Sequence, residues 1–273
     1  MNELQLKSRP KIKIKYPVKS LIKALCILEE LGENGALGVT ELGKRLGIRL
    51  STVHRLLGTL KGKGYVLTDP ATSKYLLGGM IARLGDEISR QSPLLKHGTV
   101  AVEDLSRECN ETVNLGVLDG TDVVYAARYE SRHTLRATTV LGGRWPAHAT
   151  ALGKACLADL SDGEILQRYN GAKRLRKLTP KTVTKIPDLL AELADVRREG
   201  VAEDDEENSP DVFCLAVPIR GPSGKGVAAL SISTPKARMT PDRIESLKSR
   251  LVRAGAELSV KLGASSAMAA RPS

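Results

Sequence analysis

Residues 39–60, Val39-Thr-Glu-Leu-Gly-Lys-Arg-Leu-Gly-Ile-Arg-Leu-Ser-Thr-Val-His-Arg-Leu-Leu-Gly-Thr-Leu60, read as two short helices meeting at a corner. The first opens after Thr40, an N-cap residue type, buries Leu42 and Leu46, and stops at Gly47, where the backbone needs a conformation glycine tolerates best. Ile48 fills the corner. The second helix carries Val53, Leu56, Leu57 and Leu60 at helical spacing, a stripe for burial. Gly43 is small where the two helices would cross. Arg49, Ser51, Thr52, His54 and Arg55 are left exposed at the start of the second helix, and all can hydrogen bond. A plain helical hairpin whose polar face meets only water shares any one of these features. Their coincidence reads as a helix-turn-helix, whose second helix offers polar side chains to the DNA major groove.

The charge around this stretch agrees. The chain has 273 residues and a formal net charge of +11. Residues 1–78 contain 14 Lys or Arg against 6 Asp or Glu, leaving 28 against 25 in the remainder. The excess therefore lies on the segment that carries the helix-turn-helix, where it favours phosphate contact by counterion release. The length suits two domains, each able to bury a core. With one Trp, one Phe and six Tyr, those cores are aliphatic. Cys26, Cys109, Cys156 and Cys214 are isolated, with no zinc-ligand spacing, so neither a metal nor a cofactor is expected. No apolar run reaches membrane-spanning length, and residues 1–19 lack a signal-peptide core, so the expected location is the cytoplasm.

Along the chain, residues 1–17 read as a basic flexible arm. Residues 18–78 read as a winged helix-turn-helix DNA-binding domain. Its first helix covers 20–31 and buries Leu21, Leu25 and Leu28. Two apolar runs, 65–67 and 75–77, flank the Asp69-Pro70 turn as a wing, with Lys61, Lys63 and Lys74 placed for phosphates. Residues 79–92 form a linker helix with Met80, Ile81, Leu84 and Ile88 on one face, suited to dimerisation. Residues 93–263 alternate between helices and strands. Helices are expected over 94–109, 149–160, 186–199 and 241–262, and strands over 112–118, 123–129 and 135–140. Residues 212–220 and 226–234 form a hairpin. This is an α+β, sensor-like domain with an antiparallel sheet. Residues 264–273 read as a frayed tail.

A ligand site emerges from three segments. If the hairpin turns between Ser223 and Gly224, Cys214 faces Ser233 and Ala216 faces Ser231, so one sheet face is small and weakly polar. Exposed strand faces usually carry longer polar side chains, which favours a cavity. Thr150 can cap a helix whose free N–H groups, from Ala151, Leu152 and Gly153, form an anion site. Gly153-Lys154 is not a phosphate loop, because no glycine sits five residues earlier. The acidic run 200–207 is a loop from which Asp204 can turn inward towards ligand hydroxyls.

These residues resemble the IclR (isocitrate lyase regulator) family over about residues 18–262. The resemblance is carried by Ser51-Thr-Val-His-Arg-Leu-Leu57, Glu111-Thr-Val113, His148-Ala-Thr-Ala-Leu-Gly-Lys154, residues 200–207 and Cys214-Leu-Ala-Val-Pro218. It implies an N-terminal winged helix, a linker helix and a C-terminal GAF-like effector-binding domain. It also implies dimers or dimers of dimers on double-stranded operator DNA, responding to a small organic acid, sugar acid or aromatic acid. By motif, the implied effector site uses backbone at Ala151 and Leu152 and side chains of Asp204, Cys214, Ser231 and Ser233. The chain departs from the family pattern in three places. Ala151-Leu152 replaces a frequent glycine and narrows backbone approach. Trp145 and Leu141 add an apolar wall suited to a larger ligand. Asp211 stands where a glycine is usual before the Cys214 strand.

The resulting expectation is a ligand-responsive transcriptional regulator of a catabolic operon, a repressor rather than an enzyme. Two other readings remain open. In one, Cys214 is the nucleophile of a hydrolase with His148 as base and Asp204 as orienter, although no nucleophile motif surrounds Cys214. In the other, the protein is an effector-free architectural DNA binder, which needs no cavity.

Overall fold

Two glycines shape the corner of the N-terminal unit. In the computed structural model, which describes residues 16–137, 140–170, 172 and 174–269, helix α1 spans Lys19–Asn34, α2 Val39–Leu46 and α3 Leu50–Gly62. Gly47 closes α2 at φ 63° and ψ 32°, in the left-handed region that favours glycine. A Cβ on Gly43 would stand 2.9 Å from a Leu50 methyl and 3.1 Å from the Ile48 carbonyl oxygen, so glycine lets α2 and the start of α3 meet closely. Leu42, Ile48, Val53 and Leu57 are buried beneath, with Leu56 and Leu60 at the rim. The N-cap of α2 is Gly38 rather than Thr40. The Glu41 carboxylate accepts from the Gly38 N–H at 2.7 Å and starts the helix at Val39.

Helix α1 also departs from expectation. It buries Ile27, Glu30 and Leu31, while Leu21 and Leu25 are exposed. Apolar residues lie on two sides of this helix, and the Ile27/Leu31 side is the one that joins Leu37 and Leu42 in the core. Glu30 is tolerated there because Asn34 and Arg45 both donate to its carboxylate. The wing follows as β1 (Val66–Thr68) and β2 (Tyr75–Leu77), paired antiparallel with Val66 opposite Leu77. Asp69 fixes the turn by accepting from the Ala71 N–H and the Thr72 hydroxyl. Helix α4 covers Gly79–Gln91 and leaves Leu84 and Ile88 exposed. The proposed basic arm lies almost entirely outside the described residues.

A second compact unit begins at Pro93. Its helices are α5 (Pro93–Cys109), α6 (Ala151–Ala158), α7 (Asp162–Arg168), α8 (Ile186–Glu199), α9 (Pro241–Lys261) and α10 (Ser266–Ala269). Its strands are β3 (Thr112–Asp119), β4 (Asp122–Tyr129), β5 (Arg144–Pro146), β6 (Ala202–Asp205), β7 (Val212–Arg220) and β8 (Gly226–Pro235). They form one antiparallel sheet in the order β5-β4-β3-β8-β7-β6. On one face Val113, Leu115, Phe213, Leu215, Leu230 and Ile232 pack with residues of α5 and α9. On the other, Ala202, Ala216 and Ala229 pack with residues of α6 and α8. The large-and-apolar against small division of the hairpin thus decides which helices lie on which side.

Three expectations are corrected here. None of the described residues of 135–140 lies in a strand: residues 138 and 139 lie outside the described residues, and the others are irregular, with Leu135 exposed. The Gly142 N–H and the Gly143 carbonyl bond both backbone groups of Tyr125, so they occupy the strand edge that this run would need. The acidic run holds a strand, β6, rather than being all loop, because Ala202 and Asp204 point inward from it. The tail is ordered as far as α10, with Ala264 buried; residues 270–273 lie outside the described residues. No helix among the described residues is long and apolar enough to cross a membrane.

Candidate DNA-binding face and effector site

Helix α3 is pinned through Val53 and Leu57, which turns Arg49, Ser51, His54 and Arg55 to solvent and leaves Thr52 half-buried. These residues form one polar surface at the N-terminal end of the helix, as major-groove reading requires. Lys61 and Lys63 are exposed at its C-terminal end. Lys74, beside the wing turn, is held by an ion pair of 3.5 Å to Glu41, the residue that caps α2. Its charge is therefore shared before any phosphate arrives.

In the second unit, β7 and β8 pair in the expected register, Cys214 with Ser233 and Ala216 with Ser231. Asp204 joins this face opposite Cys214, and β3 adds Asn114 opposite Ser231. The Cys214 thiol donates to the Ser233 hydroxyl at 3.2 Å, and the Asn114 amide donates to the same oxygen at 3.2 Å. Above the face lies α6, whose Ala151 and Leu152 share a cluster with Ala216 and Ala229. Thr150 caps α6 by accepting from the Gly153 N–H at 3.1 Å. In the first turn of an α-helix the N–H groups of Ala151 and Leu152 have no partner within the helix. Gly153 is required: a Cβ there would stand 2.2 Å from the Ala147 backbone, where the entering chain crosses.

The apolar wall is split. Trp145 sits on β5 with its ring 4.5 Å from that of Tyr125 in an edge-on arrangement, and Tyr125 is buried on the site face of β4. Leu141 is 60 % exposed and lies away from this packing. Asp204 does turn inward, but its Oδ1 already accepts from the backbone N–H groups of Glu207 and Asn208, at 2.8 and 3.3 Å. It caps the β6–β7 loop as well as facing the site. Burial pushes its carboxyl up to about 7. Lys154 is also buried, paired with Glu207 at 2.6 Å and Glu192 at 3.1 Å, and those carboxylates outweigh its desolvation and hold it charged.

Sequence reasoning missed Asn114, Tyr125 and Glu207. The alternation of β3 placed Asn114 on one face or the other, but its neighbours follow from the β3–β8 pairing, which is not local. The hydrolase constellation does not assemble. His148 Nε2 donates to the Arg176 carbonyl at 3.0 Å, and the Cys214 thiol bonds Ser233. Burial drives the Cys214 thiol far above its ordinary range, which suppresses the thiolate. Among the described residues no group of His, Cys, Asp and Glu is placed to hold a metal ion.

Comparison with known proteins places this geometry. Residues 20–70 match the IclR helix-turn-helix domain, and residues 88–260 match the bacterial transcriptional regulator IclR C-terminal domain. The chain is 35% identical over 246 residues to the HTH-type transcriptional regulator KdgR of Escherichia coli, covering 90% of this chain and 93% of that one. It is 32% identical over 249 residues to the E. coli transcriptional repressor IclR, covering 90% of each. Among solved structures it is similar to an IclR homolog from Microbacterium hydrocarbonoxydans complexed with 4-hydroxybenzoate, with a TM-score of 0.69, 26% identity and coverage of 90% and 100%. Both halves are matched in order and over nearly their full length, and so the chain belongs to the IclR family of bacterial transcriptional regulators.

Proposed function

We propose that this regulator represses a catabolic operon, binding operator DNA through α3 and the wing as a homodimer or dimer of dimers. A small organic, sugar or aromatic acid bound in the second unit controls it. The observation that carries this reading is the small polar sheet face of Asp204, Cys214, Ser231 and Ser233 beneath the capped N-terminus of α6. A carboxylate suits the free N–H groups of Ala151 and Leu152, and the serine hydroxyls suit the rest of the ligand. The similar homolog complexed with 4-hydroxybenzoate supports an acid ligand of this size. Tyr125 and Trp145 supply the apolar wall.

Effector binding acts by favouring one arrangement of the paired recognition helices, and the coupling is reciprocal: operator must change effector affinity by the same factor. The test is a thermal-shift screen of the full chain with gluconate, 4-hydroxybenzoate and glyoxylate. A melting-temperature rise with one acid, lost in Ser231→Ala and accompanied by a change in operator affinity, is the expected result. A bound acid that leaves operator affinity unchanged rejects the scheme.

A further inference from the structure

The segment from Ile165 to Pro187 holds seven Lys or Arg and no Asp or Glu, while the rest of residues 93–273 holds 19 Lys or Arg against 23 Asp or Glu. Arg174, Arg176, Lys177 and Lys185 are exposed and make no ion pair among the described residues. Most of this stretch is irregular, yet it is tied down at several points. The Leu175 N–H donates to the Thr184 carbonyl at 2.9 Å. The Thr179 and Thr182 hydroxyls donate to the carbonyls of Glu206 and Glu207, each at 2.7 Å. His148 grips the Arg176 carbonyl. A solvated charge run needs no such framework. Here uncommitted cations stand on a fixed platform.

We propose that this platform binds the phosphate backbone of duplex DNA, as a second contact surface of the regulator beyond the winged helix. The inference rests on the DNA-binding reading of the chain. The platform offers point charges and guanidinium forks suited to phosphate, and its one aromatic residue, Tyr169, is buried and so not presented for stacking. A second copy of this chain is the weaker partner, because exposed acids of this unit are largely committed. Glu108 pairs with Arg250 and Arg253, Asp195 and Glu199 with Arg198, and Glu203 with Lys248. Two of the anchors lie beside the effector site: His148 precedes the Thr150 cap of α6, and the Glu207 N–H donates to Asp204.

The experiment measures binding of the full chain to a random-sequence duplex of about 40 base pairs as a function of KCl concentration. The variant is Arg174→Gln/Arg176→Gln/Lys177→Gln/Lys185→Gln. Each phosphate contact contributes about 0.9 to the salt slope, so the variant should lose about two to three units of slope and at least about tenfold in affinity near 0.1 M salt. If its melting temperature falls, Arg174→Gln/Lys177→Gln alone should lose about half of that slope. An unchanged slope overturns the proposal. If Arg55→Ala still weakens binding in that case, the winged-helix reading survives it. If the wild-type chain binds no duplex, both readings fail together. A variant with unchanged slope but altered oligomeric mass would make the platform a protein interface instead, and would also overturn the proposal.

Discussion

Asp204 stands opposite Cys214 in the β6–β7 register, and its Oδ1 holds the N–H groups of Glu207 and Asn208. Burial raises its carboxyl from the ordinary 3.8 to about 7, and the negative charge of Glu207 adds to the effect. The two amides and Lys154 pull the other way without cancelling it. The folded state therefore keeps a proton that the unfolded carboxyl has released. Between pH 3.8 and about 7 this group makes stability fall as pH rises. Asp204→Asn retains an oxygen for both amides and removes the titration. The variant should melt higher than wild type at pH 8 and no higher at pH 5. A difference independent of pH would reject this account.

Glu111 is fully buried where α5 turns into β3, and its carboxylate is gripped by Arg238 and Arg243. These contacts tie the helix–strand corner to the start of α9. Glu111→Gln leaves two guanidinium groups half-satisfied and should destabilise the second unit by about 2–3 kcal/mol, below a fully buried pair because both arginines are partly exposed. Glu108→Gln breaks the exposed pairs with Arg250 and Arg253 and should cost less than about 1 kcal/mol. Urea denaturation of both variants measures the contrast, and equal costs would remove the special role given to Glu111.

Gly47 and Asp211 both occupy left-handed backbone, at φ 63° and 61°. Nothing lies within 4 Å of a Cβ placed on Gly47, so Gly47→Ala meets only backbone strain, about 1 kcal/mol. Asp211→Gly relieves the same strain. The added freedom of the unfolded chain takes part of this back, leaving a gain below about 1 kcal/mol. Opposite shifts in denaturant midpoint are expected. A destabilised Asp211→Gly would mean that the side chain, rather than the backbone, matters there.

The features legible from the sequence are local ones. Gly43, Gly47 and the Val53 stripe specify the helix-turn-helix within 22 residues, and a turn placed between Ser223 and Gly224 finds the right partner for Cys214, Ser233. The hairpin end itself pairs Arg220 with Gly226, and a register shift next to Ile219 restores that pairing. The features that were hidden depend on distant partners. Ala202–Asp205 is too acidic to read as a strand until β7 covers it. Leu21 and Leu25 look like core, but Ile27 and Leu31 face Leu37 and Leu42. The burial of Lys154 has no local signal, because its partner Glu207 lies 53 residues on.

Lys74 carries the most specific prediction about DNA. In the free protein its ammonium group pairs with Glu41, whose carboxylate also accepts from the Gly38 N–H. Both side chains are more than 40 % exposed, so the pair is weak and salt-screened. Lys74→Ala should weaken binding to all sequences alike and flatten the salt slope by about one unit. Glu41→Gln keeps an oxygen for the Gly38 N–H and releases Lys74, so it should tighten random-duplex binding a few-fold at low salt with little change in melting temperature. Arg55→Ala should instead lose at least several-fold on the operator, with a smaller loss on random duplex, because Arg55 projects from the reading face of α3. Fluorescence anisotropy on both duplexes separates the cases. Equal losses on operator and random DNA for Arg55→Ala would move Arg55 from base reading to phosphate contact, and tighter binding absent in Glu41→Gln would mean that Lys74 does not reach the DNA.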